Sequence, residues 1–299
     1  MNAAMLIFFG ALFITGTFFD ESISKTLFSP GIMPVELITS TGVYPFFAAF
    51  VLFSGVLFER AVHFTAAKPL KIILCIVCIG IAAGVGYFGG SMLASKSCFG
   101  SVFPSIIGNI PIIVAIFAVF ELPLFFIGFH FAKKTDDKLL VRRIIGLFIV
   151  LLAAYLTMTL LKSAFPRPRY RTVVLGYEGV GFVPWYSPVS GASELAKMYE
   201  LSSDEFRSFP SGHSILGVSA VYILPSLSWI IPKLKDKQLV LCIAGLVFGC
   251  TIMFTRIIVG AHYLSDVSMG AMIAVVLSFA YTIIQICVSK SDNRISGRT

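Results

Sequence analysis

Apolar residues come in eight long runs, approximately 4–19, 37–58, 72–95, 106–131, 144–161, 213–231, 239–255 and 267–288. Each is close to the ~20 helical residues needed to cross a hydrocarbon core. The pattern predicts an all-α polytopic membrane protein with about eight transmembrane helices. Pro225 and Gly86 interrupt runs without ending them, as membrane helices tolerate. The first run is the shortest and stands where a signal peptide would. However, Met1-Asn2-Ala3 carries no basic side chain, so the run is read as a retained helix. Ile23 and Leu27 give the stretch from Asp20 to Phe28 helical apolar spacing, which predicts a segment lying flat on the outer interface.

The polar positions between the runs are not alike. With the N-terminus inside, the inner loops hold 14 of the 23 Lys and Arg residues, among them Arg60, Lys133, Lys233 and Lys290. Two outer segments hold only Lys25 and Lys96. This bias predicts cytoplasmic termini in a cell-membrane protein. The other seven, Lys162, Arg167, Arg169, Arg171, Lys197, Arg207 and Arg256, lie in or beside polar clusters at the connections after runs five and seven. Both connections fall on the outer face, so clusters distant in sequence are expected to converge there. Residues 163–210 form an outer loop of 48 residues rich in Gly, Ser, Pro and aromatics, and connections this long are usually functional or disordered.

Composition sharpens this picture only slightly. The 299 residues are 57% hydrophobic and 13% charged, with a mean hydropathy of +0.92, far from soluble composition. A net charge of +8 in a soluble protein would suggest nucleic acid; here it reflects cytoplasmic loops and anionic lipid, and no nucleic-acid partner is expected. Cys75 and Cys78 have CxxC spacing but no second pair or His cluster, which reads as buried small side chains.

Three clusters carry candidate chemistry. Lys162 closes the fifth run, and Arg167, Arg169 and Arg171 follow it in alternation. Taken alone they describe a helix end that binds lipid head groups, but the same cations suit a phosphate dianion. In Phe209-Pro210-Ser211-Gly212-His213, Ser211 suits an N-cap and Gly212 lets backbone N–H groups approach an anion. A plain helix start explains Ser211 but not His213. In the third cluster Arg256 precedes His262 and Asp266, which are four apart and share a helix face. The carboxylate is expected to hold one imidazole N–H and leave the other nitrogen as a nucleophile.

With these residues the chain resembles the type 2 phosphatidic acid phosphatase (PAP2) superfamily, whose signature is K-x6-RP, then PSGH, then SR-x5-H-x3-D. The second block is complete at Pro210 to His213; in the third, Thr255 replaces Ser before Arg256. In the first, Lys162 and Arg169 keep the spacing but Tyr170 stands where Pro is expected, while Arg167-Pro168 is an RP pair at shorter spacing. Arg169 is taken as the phosphate ligand on spacing, with Arg167 an open competitor.

The resemblance implies a PAP2-type helical core over 144–288, preceded by N-terminal transmembrane helices in 1–143 and followed by a cytoplasmic tail, 289–299. It further implies His262 as nucleophile, Asp266 as its orienting group and His213 as proton donor. Lys162, Arg169, Ser211, Gly212 and Arg256 are implied as phosphate ligands, with no metal and no cofactor. The implied activity is hydrolysis of a lipid-linked phosphate monoester or diphosphate at the outer face through a phosphohistidine. Two alternatives remain open: a lipid phosphotransferase sharing that intermediate, and a non-enzymatic anion transporter. Glu121, inside the fourth run, is a further candidate, because intramembrane carboxyls are costly and face the bundle or a site.

Overall fold

The computed structural model describes residues 1–65 and 67–296, and among these it is helical, with one isolated β-bridge between Arg167 and Arg207. In chain order the α-helices are α1 (Asn2–Leu27), α2 (Met33–Ser40), α3 (Tyr44–His63), α4 (Lys68–Leu93), α5 (Ile110–Ile116), α6 (Leu122–Ala132), α7 (Leu140–Ala164), α8 (Tyr170–Val173), α9 (Ala192–Met198), α10 (Gly212–Val218), α11 (Ala220–Ser226), α12 (Gln238–Ile258) and α13 (Leu264–Ser296). Seven stretches are helical, long and apolar enough to span a bilayer, in line with a multi-pass membrane protein. The sixth apolar run is the exception: α10 and α11 are seven residues each, and a 3₁₀ turn, Leu227–Trp229, follows. Ser219 Oγ bonds back to the Ile215 carbonyl (2.8 Å) and Pro225 lacks an N–H, so neither position supports a regular long helix.

The chain forms two compact units, the first comprising residues 1–42, 152–219 and 247–279 and the second residues 43–151, 220–246 and 280–299. In the first unit, α1 presents Met5, Phe9, Gly16, Asp20 and Ser24 as its buried stripe, while Ile7, Phe8, Ile14, Phe18 and Phe19 are exposed. Asp20 and Ser24 turn inward while large apolar side chains face outward, as expected of buried polar groups in a helix in lipid. The interfacial segment expected at Asp20–Phe28 is therefore corrected: burial of Asp20 and Ser24 on one face carries α1 unbroken to Leu27. The expected outer loop is ordered, holding α8, α9 and a 3₁₀ turn at Ser203–Phe206 around a small core of Val180, Ala196 and Phe206.

In the second unit, α3 and α6 meet through glycines. A Cβ at Gly55 would lie 1.9 Å from the Phe125 carbonyl oxygen, and one at Gly128 the same distance from that of Leu52. Small residues that let backbones touch are a standard device for packing helices in lipid. The fourth span changes pitch midway: Pro123 cannot bond back to the preceding turn, and residues Phe117–Glu121 form a π-helical turn whose Phe120 carbonyl accepts from Tyr44 Oη at 2.9 Å. Glu121 is fully buried in this unit, and neither carboxyl oxygen has a hydrogen-bond partner among the described residues. The expected tail at 289–299 continues α13 to Ser296, and residues 297–299, with Arg298, lie outside the described residues.

Candidate active site

All three polar clusters belong to the first unit. The third is built around the end of α12. Gly260 adopts the left-handed conformation (φ +64°), its N–H bonds to the Ile257 carbonyl (2.9 Å) and that of Ala261 to Arg256 (3.1 Å). These are the two bonds of a Schellman ending, and glycine serves there because a side chain at that φ is strained. A Cβ there would also lie 2.5 Å from the Phe28 ring. The turn leaves Arg256 in the last helical turn and delivers His262, 1% exposed, just beyond it.

α13 then starts with Asp266 at its third position, reaching back to accept from the Tyr263 backbone N–H at 2.9 Å, which is half of a capping box. The same oxygen, Oδ2, accepts from Ser208 Oγ (2.5 Å), and Oδ1 takes Arg167 Nη1 (2.5 Å).

The direct imidazole–carboxylate bond expected from the spacing is not formed. His262 Nδ1 lies 3.8 Å from Asp266 Oδ2 but 2.7 Å from the Ser208 carbonyl oxygen. A carbonyl can only accept, so Nδ1 carries the proton and the lone pair is on Nε2. Asp266 acts on the imidazole at one remove, by holding Ser208. Burial, then the cations Arg169, Lys162 and Arg256, push the His262 pKa well below its usual range, against the Ser208 bond, which raises it. The ring is neutral near pH 7, the state a nucleophile requires.

The second cluster starts α10. Ser211 Oγ caps the helix by accepting from the Ser214 N–H (3.3 Å) and Ser214 Oγ (2.8 Å). Gly212, as first helical residue, has no carbonyl within the helix for its N–H. A Cβ on it would lie 2.5 Å from Met158 Sδ, so glycine also leaves room for this side chain of α7. His213 is buried, and its charged and titratable neighbours are Arg256, His262, Arg169 and Lys162. Both histidines and three cations of the three clusters thus meet.

The first cluster divides by role. Lys162 Nζ donates to the Arg207 carbonyl (2.5 Å). Arg169 donates from Nε to the Asp204 carbonyl (2.8 Å), from Nη2 to the Asp204 carboxylate (2.5 Å) and from Nη1 to the Ala261 carbonyl (3.4 Å), next to His262. Arg167 is 1% exposed, donates to the Val183 carbonyl, Ser265, Asp266 and Asp20, and lies with its guanidinium carbon 3.9 Å from the Tyr263 ring centre. Arg171 is held by Glu205, which also accepts from Thr172 Oγ1 (2.7 Å). Thr255 Oγ1 bonds back to the Ile252 carbonyl inside α12. Glu121, the remaining candidate, belongs to the second unit.

Sequence reasoning missed Ser208, Asp20, Asp204 and Glu205. A backbone carbonyl that positions a histidine leaves no mark in sequence. Asp20 did leave one, as an acid ending an apolar run, but it was assigned to the interface.

No curated protein and no solved structure matches the chain. Residues 143–287 match the family model for the PAP2 superfamily, a segment that contains α10, α12 and all but the first turn of α7, with His213 and His262. Together with the membrane-length helices, this supports a membrane phosphatase-type function. The C-terminal half of the chain thus carries a segment that matches the PAP2 superfamily.

Proposed function

We propose that the protein is an integral membrane phosphatase that hydrolyses a lipid-linked phosphate monoester or diphosphate by way of a phosphohistidine on His262. The observation carrying this reading is His262 Nδ1–H bonded to the Ser208 carbonyl, which puts the lone pair on Nε2 of a neutral ring whose charged neighbours are Arg169, Lys162 and Arg256, with His213 beside it. Nε2 attacks phosphorus in line, the P–O bond to the lipid breaks, and His213 gives its ring proton to the leaving oxygen. Water then attacks the phosphohistidine, His213 takes the water's proton, and the N–P bond breaks to release inorganic phosphate. Lys162, Arg169 and Arg256, with the Ser211 hydroxyl and the Gly212 N–H, hold the equatorial oxygens, whose charge they stabilise in the transition state.

The distribution of Lys and Arg supports an outer-face site, where an amphiphilic substrate keeps its tails in lipid while its phosphate reaches the cations. His262→Ala is expected to abolish phosphate release from a short-chain phosphatidic acid in detergent. His213→Ala is expected to accumulate an acid-labile, base-stable phosphoenzyme from radiolabelled substrate. Turnover by His262→Ala refutes the nucleophile assignment.

A further inference from the structure

We infer that Asp20 of the N-terminal helix, outside the family-matched segment, is a positioning residue for the nucleophile, acting through a buried relay of Arg167, Asp266 and Ser208. Asp20 is 2% exposed. Its Oδ2 accepts from Arg167 Nη2 (2.9 Å) and from Ser265 Oγ, and its Oδ1 accepts from the Ser265 backbone N–H (2.9 Å). Gly16, one turn earlier, makes this reach possible, since a Cβ there would lie 2.4 Å from the Ser265 nitrogen. Arg167 is thus held between two carboxylates, Nη2 on Asp20 and Nη1 on Asp266, with Nε on the Val183 carbonyl.

The split matters because of what Asp266 does with its other oxygen. Oδ2 serves Ser208 Oγ and the Tyr263 N–H, while the Ser208 N–H bonds the Arg167 carbonyl (3.0 Å) and the Ser208 carbonyl receives His262 Nδ1. Without Asp20, the freed guanidinium arm has one buried carboxylate left to pair with. A bidentate grip on Asp266 competes for the oxygen that holds Ser208. The carbonyl under His262 then shifts, and with it the aim of Nε2, while the phosphate ligands stay in place. A carboxylate that merely docked α1 would have no such route to the nucleophile.

This inference rests on the phosphatase reading above. The test uses purified full-length protein and short-chain phosphatidic acid, measuring kcat, KM, inhibition by inorganic phosphate and thermal unfolding in one detergent. Asp20→Asn keeps the shape and an acceptor for Ser265 but removes the charge. We expect kcat to fall about 10- to 100-fold, the range for outer-shell partners, with KM and phosphate inhibition within roughly twofold. Asp20→Asn added to Ser208→Ala should cost no further activity, because both act on one relay. A kcat near that of the wild type, a raised KM at unchanged kcat, or additive losses in the double variant each overturn the relay.

Should Asp20→Asn fail to fold, Ser265→Ala removes the hydroxyl shared by Asp20 and Arg167 without exposing a charge. It should show the same kcat-only loss in smaller degree; an unchanged kcat overturns the proposal. A wild-type protein without turnover defeats the phosphatase reading and the relay together, whereas active wild type with equally active Asp20→Asn defeats the relay alone.

Discussion

Arg167 and Arg169, two positions apart, are both buried but have opposite fates, and the exposure of their carboxylate partners decides between them. Each guanidinium nitrogen of Arg167 bonds a protein acceptor and the group sits between two buried carboxylates, which commits it to the fold. Arg169 pairs with Asp204, whose side chain is 43% exposed and can turn to water when a phosphate competes for the guanidinium. Arg167→Ala is expected to destabilise the fold by about 3–5 kcal/mol, the cost of stranding a buried charge, seen as a large drop in unfolding temperature. Arg169→Ala should unfold near the wild-type temperature while kcat falls by about 10²–10³, as for a lost oxyanion donor. Equal stability losses in the two variants would put both in the same structural role.

His262 makes a second residue-scale claim through pH. Its pKa is lowered by folding, so the folded state binds fewer protons than the unfolded chain; its neutral burial supports stability fully above the unfolded value near 6.5. That support is lost as pH falls below 6.5 toward the folded pKa. Wild-type unfolding temperature should therefore drop more steeply below pH 6.5 than that of His262→Gln, which does not titrate. Parallel curves would mean the imidazole is not buried neutral.

Among elements, apolar runs were legible because seven of them fold as continuous helical stretches of membrane length, and composition alone sets that. The sixth was not, since one back-bonded Ser219 and one Pro225 divide it without changing its hydropathy. The clustering was legible in side-chain types and spacings, for Lys162, Ser211 to His213 and Arg256 to Asp266 were expected to converge and lie together. The site was illegible in its supports: the Ser208 carbonyl is common to every residue type, and Asp20 lies more than 140 positions from its partner Arg167. Helix packing left equally faint traces, for Gly55 and Gly128 look like any glycines in an apolar run. Yet Gly55→Ala or Gly128→Ala forces a methyl into a facing carbonyl, and either should cost about 1–3 kcal/mol, measured by thermal unfolding in detergent.

For the whole molecule, the proposal fixes which side of the membrane each loop faces, and exposure decides how that can be measured. Native Cys98, in a segment that the charge bias assigns to the outer face, is fully buried, so labelling it would report packing and not sidedness. Ser187, in the connection carrying the first two motif clusters, and Asp236, between the sixth and seventh runs, are both exposed. In a cysteine-free background, Ser187→Cys should react with a membrane-impermeant maleimide in intact cells, and Asp236→Cys only after permeabilisation. The reverse result would put the cations and both histidines on the cytoplasmic side. Hydrolysis would still be possible there, but the substrate would have to come from the inner leaflet, and the excess of Lys and Arg would lie on the outer loops. That would break the charge rule which the rest of the chain follows, so a labelling result of this kind would count against the topology and the substrate side at once.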